Sequence, residues 1–72
     1  MRKYYITIGS TVLTDDGYMV VTGCNGSIAY LNEYDYNSHK TGERMLTLNE
    51  IAHEMHRYDG HTYKVAWKDK FD

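Results

Sequence analysis

The chain has no proline, one cysteine, one phenylalanine and one tryptophan among its 72 residues. Without proline no turn is pre-set by a locked φ, so turns rest on Gly, Asn and Asp. The single cysteine, Cys24, excludes an intrachain disulfide and fits a reducing compartment, so a cytoplasmic protein is expected. Its neighbours Gly23 and Asn25 bring no cation to activate a thiol. No apolar run is long enough to cross a bilayer. Residues 4–9 are too few for the apolar stretch of a signal peptide, so none is expected. A dominant charge sign is missing too. Eight basic and ten acidic residues leave a net charge of −2, which does not select a nucleic-acid partner by bulk electrostatics. Residues 1–36 carry Arg2 and Lys3 against Asp15, Asp16, Glu33 and Asp35, whereas residues 37–72 are balanced.

What the chain has instead is tyrosine, eight of them. A tyrosine packs through its ring and still needs a partner or water for its hydroxyl. The length fits one domain, residues 1–72, which buries roughly 60 to 65 % of its unfolded surface. Such a core cannot hide eight rings with every hydroxyl satisfied, so several are expected at the surface. Tyrosine there favours binding patches.

Alternation predicts a strand over residues 3–8, with Tyr4, Ile6 and Ile8 on one face. Gly9 and Ser10 break it, and residues 11–14 read as a second strand. Asp15, Asp16 and Gly17 predict a hairpin turn into an apolar strand over residues 18–22. Gly23, Cys24, Asn25 and Gly26 predict a second turn, followed by an arm over residues 27–36. Residues 37–43 are polar and read as a mobile loop, with a short strand over residues 44–46. Thr47 and Glu50 form a capping box ahead of a stripe of Leu48, Ile51, Ala52, Met55 and Tyr58. Asp59 and Gly60 end this helix. Residues 62–68 alternate again. The tail, residues 69–72, is anchored only if Phe71 docks. The expected class is α+β: a small curled antiparallel sheet or partly open barrel, ordered β-β-β-(β)-α-β, with one helix near the C-terminal end.

Catalytic motifs are missing. No serine has a Gly-x-Ser-x-Gly context, and the glycines are scattered at breaks. His53 and His56 stand three apart, whereas zincin histidines stand four apart, so a solvated polar face is expected. A metal-binding alternative would recruit His61, His39 or Glu50 as a further ligand. No cofactor is expected.

The segment over residues 30–36 is the strongest candidate site. If extended, it sets Tyr30, Asn32, Tyr34 and Tyr36 on one face and Leu31, Glu33 and Asp35 on the other. A tyrosine-rich, acidic edge suits a protein with a basic surface, because charge steers encounter and tyrosine supplies area at small entropic cost. Tyr30, Glu33, Tyr34, Asp35 and Tyr36 are the candidate contacts, with the loop at His39 and Lys40 as a second one. Single-stranded nucleic acid is the rival partner, held by Arg2, Lys3, Lys64, Lys68 and Lys70. A homodimer through an exposed sheet edge is a further expectation.

In size, tyrosine and asparagine content and mild acidity, the chain resembles many small phage or mobile-element proteins. That resemblance implies an inhibitor that sticks to a host enzyme, CRISPR effectors with their basic channels among them. The expected function is a non-enzymatic protein-binding module of this inhibitory kind.

Overall fold

The computed structural model describes residues 1–69. The element order is β1 (Arg2–Ile6), β2 (Thr11–Thr14), β3 (Gly17–Asn25), β4 (Ile28–Asp35), β5 (Lys40–Thr47), α1 (Leu48–Asp59) and β6 (Tyr63–Trp67). The class is α+β, with the helix just before the last strand. Strands β2-β3-β4-β5 form one antiparallel sheet in sequence order, and β1 and β6 form a separate parallel pair. The four-stranded sheet does not close on itself, which rules out a closed barrel.

The tight turns act as their residues predict. Asp15 and Asp16 alone connect β2 to β3, with Thr14 opposite Gly17. Gly17 is needed there for space as well as φ. A Cβ at this position would collide with the Tyr34 carbonyl oxygen of the neighbouring strand. Thr47 caps α1 as expected. Its hydroxyl accepts from the Glu50 N–H at 3.1 Å, and the Thr47 N–H donates to Glu50 Oε1 at 2.9 Å. Gly60 takes the left-handed conformation that ends the helix, at φ 78°.

Three segments differ from the sequence expectation. Strand β1 stops at Ile6, because Thr7 and Ser10 bond each other and turn the chain. Strand β3 runs through the expected turn to Asn25, and Gly26 and Ser27 make the connection instead. The segment read as a loop over residues 37–43 is strand from Lys40 onward. Only Tyr36, Asn37, Ser38 and His39 connect β4 to β5, so the polar residues of β5 lie on an edge strand. Phe71, the expected anchor of the tail, lies outside the described residues.

Ten residues form the core: Ile6, Val12, Met19, Val21, Ala29, Leu31, Leu46, Ile51, Met55 and Val65. Strands β2 to β5 contribute one face of their sheet, and α1, β1 and β6 cover it. None of the eight tyrosines is buried. The rings of Tyr4 and Tyr63 pack against the rim of the core, edge to face at 6.2 Å. Two irregularities adjust the sheet. A shift between Val21 and Gly23 leaves Thr22 as an extra residue in β3, and a shift between Glu33 and Tyr34 does the same for Thr41 in β5.

Candidate functional site

Register decides which side of each strand meets the core. In β4, Ala29 and Leu31 are buried, so Tyr30, Asn32 and Tyr34 point away from the helix. Across the sheet, Tyr18 lies opposite both Leu13 and Tyr34. Val20 lies opposite Thr11 and Asn32, and Tyr30 opposite Met45. These residues form the outer face of the four-stranded sheet, and the core on the reverse face takes up α1, β1 and β6.

The outer face is partly ordered by its own contacts. The Tyr18 and Tyr34 rings stack at 5.2 Å with 14° between their planes. The Tyr18 hydroxyl donates to Ser38 Oγ at 2.8 Å, which ties the stack to the β4–β5 turn. Both rings are half-buried by their neighbours. Leu13 and Met45 stand out more, at 48 % and 65 % exposure. Thr22, Tyr30, Asn32, Glu43 and Met45 border a shallow concavity of about 310 Å³. A tyrosine floor with flanking aliphatic side chains can bury apolar area and still offer hydroxyls to a partner.

Of the sequence candidates, Tyr30 and Tyr34 occupy this face together. The other candidates have internal tasks. Glu33 faces the helix side and lies 3.8 Å from Arg44, which also sits 3.8 Å from Glu54 of α1. Arg57 continues the chain of ion pairs to Glu54 at 3.3 Å and to Asp15 at 3.8 Å. Asp35 organises the β4–β5 turn. Its Oδ1 accepts the N–H groups of Asn37 and His39, both at 2.9 Å. Those two donors, that of His39 foremost, hold its carboxyl below the usual range. Tyr36 is 62 % exposed, yet its hydroxyl donates to the Thr14 and Asp15 carbonyls at 2.5 and 3.3 Å. It therefore braces the β2–β3 turn. Its own ionisation is pushed up by desolvation first and by Tyr58 next. His39 is exposed beside Asp35 at 3.6 Å, and the Lys40 ammonium pairs with Glu43 at 3.0 Å.

The outer face also contains residues that the sequence did not single out. Leu13, Tyr18, Val20 and Met45 join it through register, and the alternation of Leu13 with Val12 was the available signal. The helix histidines are arranged differently. His53 and His56 border a separate open concavity with Asn49, Ala52, Thr62 and Tyr63. His56 Nδ1 lies 3.1 Å from the His61 carbonyl oxygen. Among the described residues no three His, Cys, Asp or Glu side chains gather as a metal site. Glu50 is committed to the capping box, where the Thr47 N–H and hydroxyl keep its carboxyl low. Among the described residues no helix is long and apolar enough to cross a membrane. Comparison with protein families, with curated proteins and with solved structures finds no match to this chain.

Proposed function

We propose that the protein is a non-enzymatic binding module whose outer sheet face docks a larger protein. The observation that carries this reading is the row of Leu13, Tyr18, Tyr34, Tyr30 and Met45 on a face that the helix leaves uncovered. The perturbed carboxylates have structural tasks. Asp35, Glu50 and Asp59 are each shifted by turn, cap or tyrosine contacts, and each shift lowers the pKa as a structural hydrogen bond does.

The partner in this reading has a basic surface, and docking occludes it, as an inhibitor of phage or mobile-element type would. Asp15 and Asp16 are exposed at one end of the sheet, and the net charge is −2. Lys40 and Glu43 neutralise each other on the opposite edge. Asp15 is paired with Arg57, so in this reading steering comes from Asp16 of the β2–β3 turn and affinity from the rings.

The test compares the immobilised wild type with a Tyr30→Ala/Tyr34→Ala variant against the lysate of the native host. Each ring that acts as an anchor costs about 1 to 3 kcal/mol when truncated, so a partner held by the wild type is expected to be lost. Equal retention on both surfaces would remove the outer face from consideration. A partner released by Asp15→Asn/Asp16→Asn only at low salt would assign steering to that turn.

A further inference from the structure

The parallel pair β1–β6 places side by side two lysines that are far apart in sequence. Lys3 stands directly opposite Lys64, and Tyr5 directly opposite Ala66. Val65 and Ile6 are buried, so Lys3, Tyr5, Lys64 and Ala66 share the outward side. These four line a shallow concavity of about 210 Å³. Lys68 follows β6 directly, and its N–H donates to the Ile6 carbonyl at 2.8 Å, which places it at the end of the row. From Lys64 to Lys68 the row spans about 13 Å, at roughly 3.3 Å per residue.

Two like charges directly opposed across a ladder are unfavourable. Among the described residues, Lys3, Lys64 and Lys68 take part in no ion pair, whereas Lys40, Arg44 and Arg57 all do. The acid nearest in sequence is Asp69, next to Lys68. At 0.1 M salt the screening length is about 10 Å, so distant acids of the chain do little to offset this cluster. Between the lysines lies the ring of Tyr5, 56 % exposed. Edge lysines alone deter sheet aggregation. An exposed aromatic ring set among them serves a different end, since it offers a planar surface between positive charges.

We propose that the outer side of β1–β6 binds single-stranded nucleic acid, with Lys3, Lys64 and Lys68 on phosphates and Tyr5 stacked on a base. This site is separate from the tyrosine face of the four-stranded sheet and does not depend on it. Charge complementarity selects a polyanion, and the ring selects one with flat, unpaired bases.

Fluorescence anisotropy with a labelled oligothymidylate of about 12 nucleotides tests the assignment. Three phosphate contacts predict a slope of log K against log salt of about −2, and so about a 20-fold loss between 50 and 200 mM salt. Lys3→Gln/Lys64→Gln should reduce that slope to about −0.7. Tyr5→Ala should weaken oligothymidylate binding about 10-fold and leave heparin binding unchanged. Absence of binding at 50 mM salt overturns the proposal, and the lysines then serve as edge protection only. A slope that ignores the lysine substitutions overturns it as well. Equal effects of Tyr5→Ala on heparin and oligothymidylate overturn the stacking role. Amide shift mapping on the wild-type chain needs no substitution: shifts in β1 and β6 support the site, and shifts confined to β3, β4 and β5 refute it. The Tyr30→Ala/Tyr34→Ala variant should bind the oligonucleotide like the wild type, which keeps this test apart from that of the protein-docking face.

Discussion

Asp35 shows how one side chain can look like a binding residue and act as a structural one. In sequence it stands in a tyrosine-rich segment and carries a charge. In the fold its carboxylate replaces the missing partners of two turn amides. Glu50 does the same at the start of α1, and Asp59 accepts the Tyr63 hydroxyl and the His61 N–H. All three carboxyl pKa values are lowered by folding. A group lowered in this way adds stability above its unfolded pKa and loses it as pH falls through the folded value. Stability is therefore expected to be flat from neutral pH to about 5 and to decline below about 4, where carboxylates ionise. Urea midpoints across this range would check it. Asp35→Asn/Glu50→Gln should flatten the decline, and an unchanged acid limb would reassign it to other groups.

At the scale of the element, α1 depends on its cap and its stripe together. Ile51 and Met55 are buried, Leu48 and Ala52 half-buried, and Tyr58 is 44 % exposed at the far end. A helix of 12 residues is marginal in isolation, so the packing of this stripe and the reciprocal cap at Thr47 decide whether it forms. Thr47→Ala should cost about 1 kcal/mol, read as a lower urea midpoint with an unchanged slope. Thr47→Ser, which keeps the hydroxyl, should restore most of it. Strand β5 is a contrasting case. Its sequence is polar because its outer edge is unpaired and one side faces solvent, and that composition read as a loop. An edge strand carries too few apolar residues to announce itself, and only pairing with β4 makes it a strand.

For the whole molecule, thickness is the governing quantity. The described chain measures 32 × 27 × 15 Å, a four-stranded sheet with one covering layer of α1, β1 and β6. One thin core serves every element, and Ile51 sits in it with no exposure. Ile51→Ala should cost about 3 kcal/mol, against a total of about 4 to 10 kcal/mol for a chain this long. Thermal unfolding by circular dichroism should show one transition at a much lower midpoint. Loss of helix signal before sheet signal would mean that α1 is not part of the common core. The same thinness leaves the opposite sheet face open, which is the basis of the docking proposal. Self-association through that face or through the β5 edge would appear as a dimer in sedimentation, and Tyr34→Ala would dissolve it if the face is responsible.

Local chemistry was legible from the residues alone. Asp15 and Asp16 before Gly17, the Thr47 and Glu50 box, and Gly60 after the helix each act within a few residues, where one side chain can satisfy or strain the neighbouring backbone. So was the α+β class, because the two hydrophobic periods are local as well. The side of β4 that stays uncovered, the bulges at Thr22 and Thr41, and the meeting of Lys3 with Lys64 were decided only when the chain folded. Each depends on pairing between distant segments, and alternation alone does not say which of its two faces the helix will take. The core made that choice, because Ala29 and Leu31 enter it without a hydroxyl to satisfy, whereas Tyr30 and Tyr34 would each have needed a partner for one.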